Sequence, residues 1–131
     1  MSSSIFGTNL EVTGALSSDT AVYSGGGLGF GYTEVAQASY SATGGEGTLG
    51  VTYTATGAVT ITLPEISTLE PTAFRQLVIV DVGMNSSTNN ITLTPGGSDT
   101  LVGITGSGLI DDDGAAVRLV SDGGTQWMVG G

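Results

Sequence analysis

No stretch of the chain sustains the apolar period of a helix. Its hydrophobic residues come in short runs of period two, broken by glycine and by turn residues. Leu49, Val51 and Tyr53 alternate with Gly50, Thr52 and Thr54. After Ala55–Ala58, Val59, Ile61 and Leu63 alternate with Thr60 and Thr62 and stop at Pro64. β-Branched residues in strict alternation fit a half-buried pleated strand, and the two runs are expected to pair as a hairpin. Gln76–Val82 is apolar on both faces, as for a strand inside a sandwich or at a subunit contact. Ile91–Thr94 and Leu101–Ile104 read as short strands, and 106–114 as a loop. Ala116–Ser121 and Thr125–Val129 read as a terminal hairpin turning through Gly123 and Gly124, with Trp127 buried opposite Val117 and Leu119. Ile66 and Leu69 fit either a short helical turn or a packed loop.

This spacing of strands and turns predicts an all-β fold for residues 48–131, a small β-sandwich or β-barrel, jelly-roll-like. Residues 1–47 differ. Ser24–Tyr32 and Thr43–Gly47 are dominated by glycine, which loses much entropy on ordering and adds little packing. This segment is expected to form an extended Gly/Ser-rich N-terminal arm with loops. Its Ile5, Phe6, Leu10, Val12 and Leu16 would be wasteful in a free solvated tail. They are expected to dock on another protein surface, such as an adjacent protomer.

The composition excludes much chemistry. The 131 residues include no Cys, no His and no Lys, so a thiol or imidazole nucleophile, a soft metal ligand and a Schiff-base lysine are all missing. The only cations, Arg75 and Arg118, stand against 12 Asp and Glu, for a net charge of −10. Two arginines cannot neutralise a run of phosphates, so no nucleic-acid partner is expected. No apolar run approaches the roughly 20 residues of a membrane span, and no membrane partner is expected. Met1–Gly7 has neither a basic region nor a long apolar run, so no secretory signal is expected. At 39 % hydrophobic residues the chain is too apolar to be an acidic disordered protein.

The remaining motifs have plain readings. Asp111–Asp113 lacks the alternate acidic positions and the late Glu of a calcium loop and reads as a solvated turn, so no metal site is expected. Ser24–Gly31 does not follow G-x-G-x-x-G, and no cofactor is expected. The scattered acids single out no catalytic pair, and the protein is expected not to be an enzyme. The aromatics Phe6, Tyr23, Phe30, Tyr32, Tyr40, Tyr53, Phe74 and Trp127 fit core or interface anchors better than one sugar platform. Arg75 and Arg118 are each expected to pair with a carboxylate, within the chain or across a subunit boundary.

Five segments together resemble a module recurrent in tailed-phage virion proteins. They are Thr60–Pro64 leading to the strand Gln76–Val82, then Ser87–Thr94 with Ser98–Leu101, and finally Val117–Trp127. The resemblance covers a little over half of the chain, from Val59 to Val129, and implies no catalytic residue. Such modules occur in tail fibres, tail spikes and capsid-associated proteins, commonly as trimers. The small size and the arm are similar to those of capsid decoration (cement) proteins. The resemblance therefore implies a homotrimer on the virion capsid surface whose partner is the major capsid protein. A short trimeric tail fibre or tip that binds host glycans is the alternative, and a free carbohydrate-binding module is a third.

Overall fold

The computed structural model describes residues 13–14, 30–69, 75–102 and 108–130. Ten strands form two sheets: β1 (Tyr32–Val35), β2 (Ser39–Ser41), β3 (Thr48–Val51), β4 (Val59–Thr62), β5 (Gln76–Asp81), β6 (Ile91–Thr94), β7 (Thr100–Val102), β8 (Leu109–Ile110), β9 (Ala116–Ser121) and β10 (Gln126–Val129). The larger sheet has the order β1-β3-β5-β9-β10-β7 and the smaller the order β2-β4-β6-β8. The protein is thus a small all-β sandwich. Its sheets meet over one core, in which Val35, Leu49, Val51, Leu77, Ile79, Leu119 and Trp127 face Val59, Ile61, Ile91, Leu93 and Ile110.

The connectivity is wound. From β1 to β9 each successive strand joins the other sheet. β1, β3 and β5 therefore stack in parallel, as do β2, β4 and β6. This corrects the jelly-roll-like expectation, because a jelly roll is antiparallel throughout. Here antiparallel pairing is confined to β5–β9, β9–β10 and β6–β8.

The expected hairpin over 49–63 is corrected as well. β3 is bound by β1 and β5, and β4 by β2 and β6. The two runs send their apolar residues into one core from opposite sides. Alternation reports only that one face is buried, and it is identical for a hairpin partner and for a strand across the core.

Two further differences concern boundaries. Of the expected arm, residues 30–47 supply β1 and β2, an edge strand for each sheet. The expected loop 106–114 contains β8. Ile66 and Leu69 are both buried beside the 3₁₀ turn Ile66–Thr68, whose first N–H donates to Asp99 Oδ2 at 2.7 Å.

β5 is the central strand. Leu77, Ile79 and Asp81 point into the sandwich, while Val78 and Val80 are half-buried on the outer face. The terminal hairpin forms with a register that places Trp127 opposite Ser121 and Val129 opposite Leu119. Trp127 is 1 % exposed, and its Nε1 donates to Pro64 O at 3.2 Å, so one side chain ties β10 to the segment after β4. Trp127→Ala should cost about 3–5 kcal/mol, the usual range for truncating a buried aromatic. Urea unfolding monitored by circular dichroism checks this, and the wild-type protein should show a blue-shifted Trp emission.

Candidate interaction surface

Asp81 is the one buried ionisable group among the described residues, 3 % exposed at the end of β5. Its Oδ2 accepts from the backbone N–H of Asn85 and Ser86, both at 2.9 Å, and of Gly114 at 3.1 Å. Burial alone would raise its pKa. The N–H donors favour the charged form more strongly, and the net effect lowers it from 3.8. The carboxylate thus pins the β5–β6 connection to the loop before β9. Met84, in that connection, has φ of 53°, unusual for a residue with a side chain, and is 62 % exposed.

Because the native pKa is depressed, Asp81 contributes stability above the unfolded value near 3.8 and loses that contribution as pH falls through its lower native value. Asp81→Asn keeps an acceptor but removes the charge. It should cost roughly 1–3 kcal/mol at pH 7. The gap between wild type and variant should close as the pH is lowered through the native pKa, as read from denaturant midpoints at a series of pH values.

The outer face of the larger sheet is the most unusual surface of the molecule. Across β1, β3, β5, β9, β10 and β7 it carries Tyr32, Glu34, Thr48, Gly50, Gln76, Val78, Val80, Ala116, Arg118, Val120, Gln126, Met128, Thr100 and Val102. Among the described acids only Glu34 lies on this face, at its edge, where it accepts from Thr52 Oγ1 at 2.7 Å. Val78, Val80, Val120 and Met128 form a half-buried apolar centre, and Val102 is exposed at the far edge. At the β1 edge Tyr32 and Phe30 are 59 % and 74 % exposed. Any Cβ at Gly50 would collide with the Tyr32 ring, and any Cβ at Gly47 with the Phe30 side chain. Glycine at these two positions lets the aromatics lie against the sheet.

Two concavities open on this side. One, about 500 Å³, is lined by Phe30, the 44–47 loop, Arg75, Gln76, Val78 and Val120. Arg75 Nη1 donates to Gly44 O at 2.8 Å. Glu46 holds the loop. It accepts from Tyr40 Oη at 2.8 Å, Thr43 N at 3.0 Å and Gly44 N at 2.9 Å. Burial would raise the Glu46 pKa, but the Thr43 N–H and the Tyr40 hydroxyl outweigh it, so the pKa is lowered and Glu46 stays ionised. The same hydrogen bond to Glu46 raises the pKa of Tyr40. The other concavity is lined by Val78, Ala116, Val117, Arg118, Val129 and Gly130. Both cations of the chain therefore border this face.

The site residues expected from the sequence, Ile5, Phe6, Leu10, Val12 and Leu16, lie outside the described residues, as do Phe6, Tyr23 and Phe74 among the aromatics. The other aromatics do not converge. Trp127 is in the core, Tyr40 bonds Glu46, Tyr53 donates to Thr56 O at 3.1 Å, and Phe30 and Tyr32 sit at the sheet edge. Asp111, Asp112 and Asp113 are all exposed, and Asp113 Oδ1 accepts from Ser87 N at 2.9 Å. Sequence reasoning missed the acid-poor face, because its residues come from six separate strands. The signal available was the apolar second face of 76–82. Neither a protein-family profile nor a curated protein sequence matches the chain.

Proposed function

We propose that this chain is a non-catalytic virion structural protein, a homotrimeric capsid decoration (cement) protein that binds and stabilises a shell of major capsid protein. The observation that carries the reading is the outer face of the larger sheet. An acidic chain keeps all but one of its described carboxylates off a broad sheet surface and gathers valines, Met128 and two exposed aromatics there. Exposed apolar surface of this kind marks a protein contact. The resemblance of Val59–Val129 to phage virion modules supplies the class of partner. In this reading the sheet face joins copies of the chain, and the arm with Ile5, Phe6, Leu10, Val12 and Leu16 grips the shell. Many weak grips on one particle then add through multivalency.

Phe30 and Tyr32 favour a second reading, a short trimeric tail fibre or tip, because exposed rings at a sheet edge are suited to stacking on sugar. Light scattering should give the mass of three chains at micromolar concentration, and a stable monomer would refute the trimer. Removing residues 1–20 should weaken co-sedimentation with empty shells while leaving the circular dichroism of the β-module unchanged. Full-strength shell binding without the arm would overturn the arm's role in gripping the shell, and binding to host glycans but not to shells would favour the fibre.

A further inference from the structure

The chain contains two Asp-Gly pairs, Asp113–Gly114 and Asp122–Gly123. Such a pair is chemically labile, because glycine leaves its nitrogen unhindered toward the preceding carboxyl group. The glycine nitrogen attacks the aspartate Cγ and a C–N bond forms. The carboxyl OH and the amide proton leave together as water. Water then opens the resulting succinimide at one of its two carbonyls. Opening at the side-chain carbonyl restores aspartate. Opening at the main-chain carbonyl gives isoaspartate, in which the backbone runs through Cβ. An Asn-Ser pair, such as Asn85–Ser86, closes the same ring with ammonia as the leaving group. In every case the attacking nitrogen must be free of a hydrogen bond.

Two of these three nitrogens are held by one side chain. Ser86 N and Gly114 N donate to Asp81 Oδ2 at 2.9 and 3.1 Å, and Asp81 is 3 % exposed. The third is open. Gly123 lies in the turn between β9 and β10, partly exposed, and its N–H has no hydrogen-bond partner among the described residues. Asp122 Oδ1 accepts from Gly124 N at 2.7 Å and from Gln126 N at 3.0 Å, which folds the carboxyl back over the intervening Gly123 amide. Asp113 Oδ1 also accepts a backbone N–H, from Ser87 at 2.9 Å. Both carboxyl groups are therefore engaged, and the state of the nitrogen distinguishes the two pairs.

We infer that Asp122–Gly123 is a site of spontaneous isoaspartate formation in the folded protein, and that Asp81 protects Asp113–Gly114 and Asn85–Ser86 from the same reaction. Isoaspartate at 122 adds one bond to the backbone of the turn and displaces the carboxylate that holds Gly124 and Gln126, next to Trp127.

The test is ageing of the full chain near neutral pH, in native buffer and in concentrated urea, with isoaspartate at each position read by peptide mapping. In native buffer isoaspartate should form at least about tenfold faster at Asp122 than at Asp113, because Gly114 N reacts only when its hydrogen bond opens. In urea, where both nitrogens are free, the two rates should agree within about threefold. Asp81→Asn, shown to be folded by Trp127 emission, should age severalfold faster at Asp113 and Asn85 and at an unchanged rate at Asp122. Amide hydrogen exchange of the wild type gives a reading that needs no variant, slow at Ser86 and Gly114 and fast at Gly123. Native ageing that spares Asp122, or that is as fast at Asp113, overturns the site. A gap that persists in urea overturns the protection by Asp81, since the sequence would then cause it. Fast exchange at Gly114, or a folded Asp81→Asn protein whose Asp113 and Asn85 age no faster, overturns that protection as well.

Discussion

Each strand from β1 to β8 is hydrogen-bonded in the sheet opposite to that of its neighbours in sequence. No strand in this stretch finds its ladder partner locally, and the sheets exist only if the chain passes back and forth across the core in register. Parallel stacking is what makes this possible. Leu49 lies beside Ile79 in one sheet, and Ile61 beside Leu93 in the other, so like side chains form continuous apolar rows. The connections at the ends must then hold the chain at fixed crossing points. Asp81 does so at one end, and Trp127 does so by reaching from β10 to Pro64. A topology with so few local pairings carries a large loop-closure cost, and it folds slowly for its size.

This winding explains which parts of the fold were legible in the sequence. Alternation located β3, β4, β6 and the terminal hairpin, because each of these strands buries one face. The double apolarity of Gln76–Asp81 marked the central strand, whose outer valines remain half-buried. Partner choice was not legible. Val59–Thr62 carries the same pattern whether it folds back on Thr48–Val51 or faces it across the core. β1 and β2 were hidden in glycine-rich sequence because Tyr32–Val35 and Ser39–Ser41 bury only one strongly apolar residue, Val35, between them. The candidate surface was legible only as the second face of β5. Its other members, such as Val102, Ala116 and Met128, come together through pairing that the sequence does not display.

The distribution of charge follows from the same architecture. The outward positions of the smaller sheet are Ser39, Ser41, Thr60, Thr62, Thr92, Thr94 and Leu109, mostly hydroxyls. The outward positions of the larger sheet are mostly aliphatic around Arg118. The sandwich therefore has one water-compatible side and one side suited to protein contact, although both sheets look alike from within the core. Most described carboxylates sit in loops and at strand ends, where Asp81, Asp99 and Glu46 bind backbone N–H groups and Asp111 and Asp112 face solvent.

One strand pairing bears on how the protein is made. β7 has a single ladder partner, β10, which follows it by more than twenty residues, and the two run parallel. Until Gln126–Val129 has left the ribosome, β7 has no bonded neighbour, and the ring of Trp127 is missing from the core above Pro64. A nascent chain halted before β10 would carry an open hydrophobic seam and a loose strand edge, both of which invite proteolysis and non-native pairing. The sandwich thus closes fully only in a chain that has extended through β10.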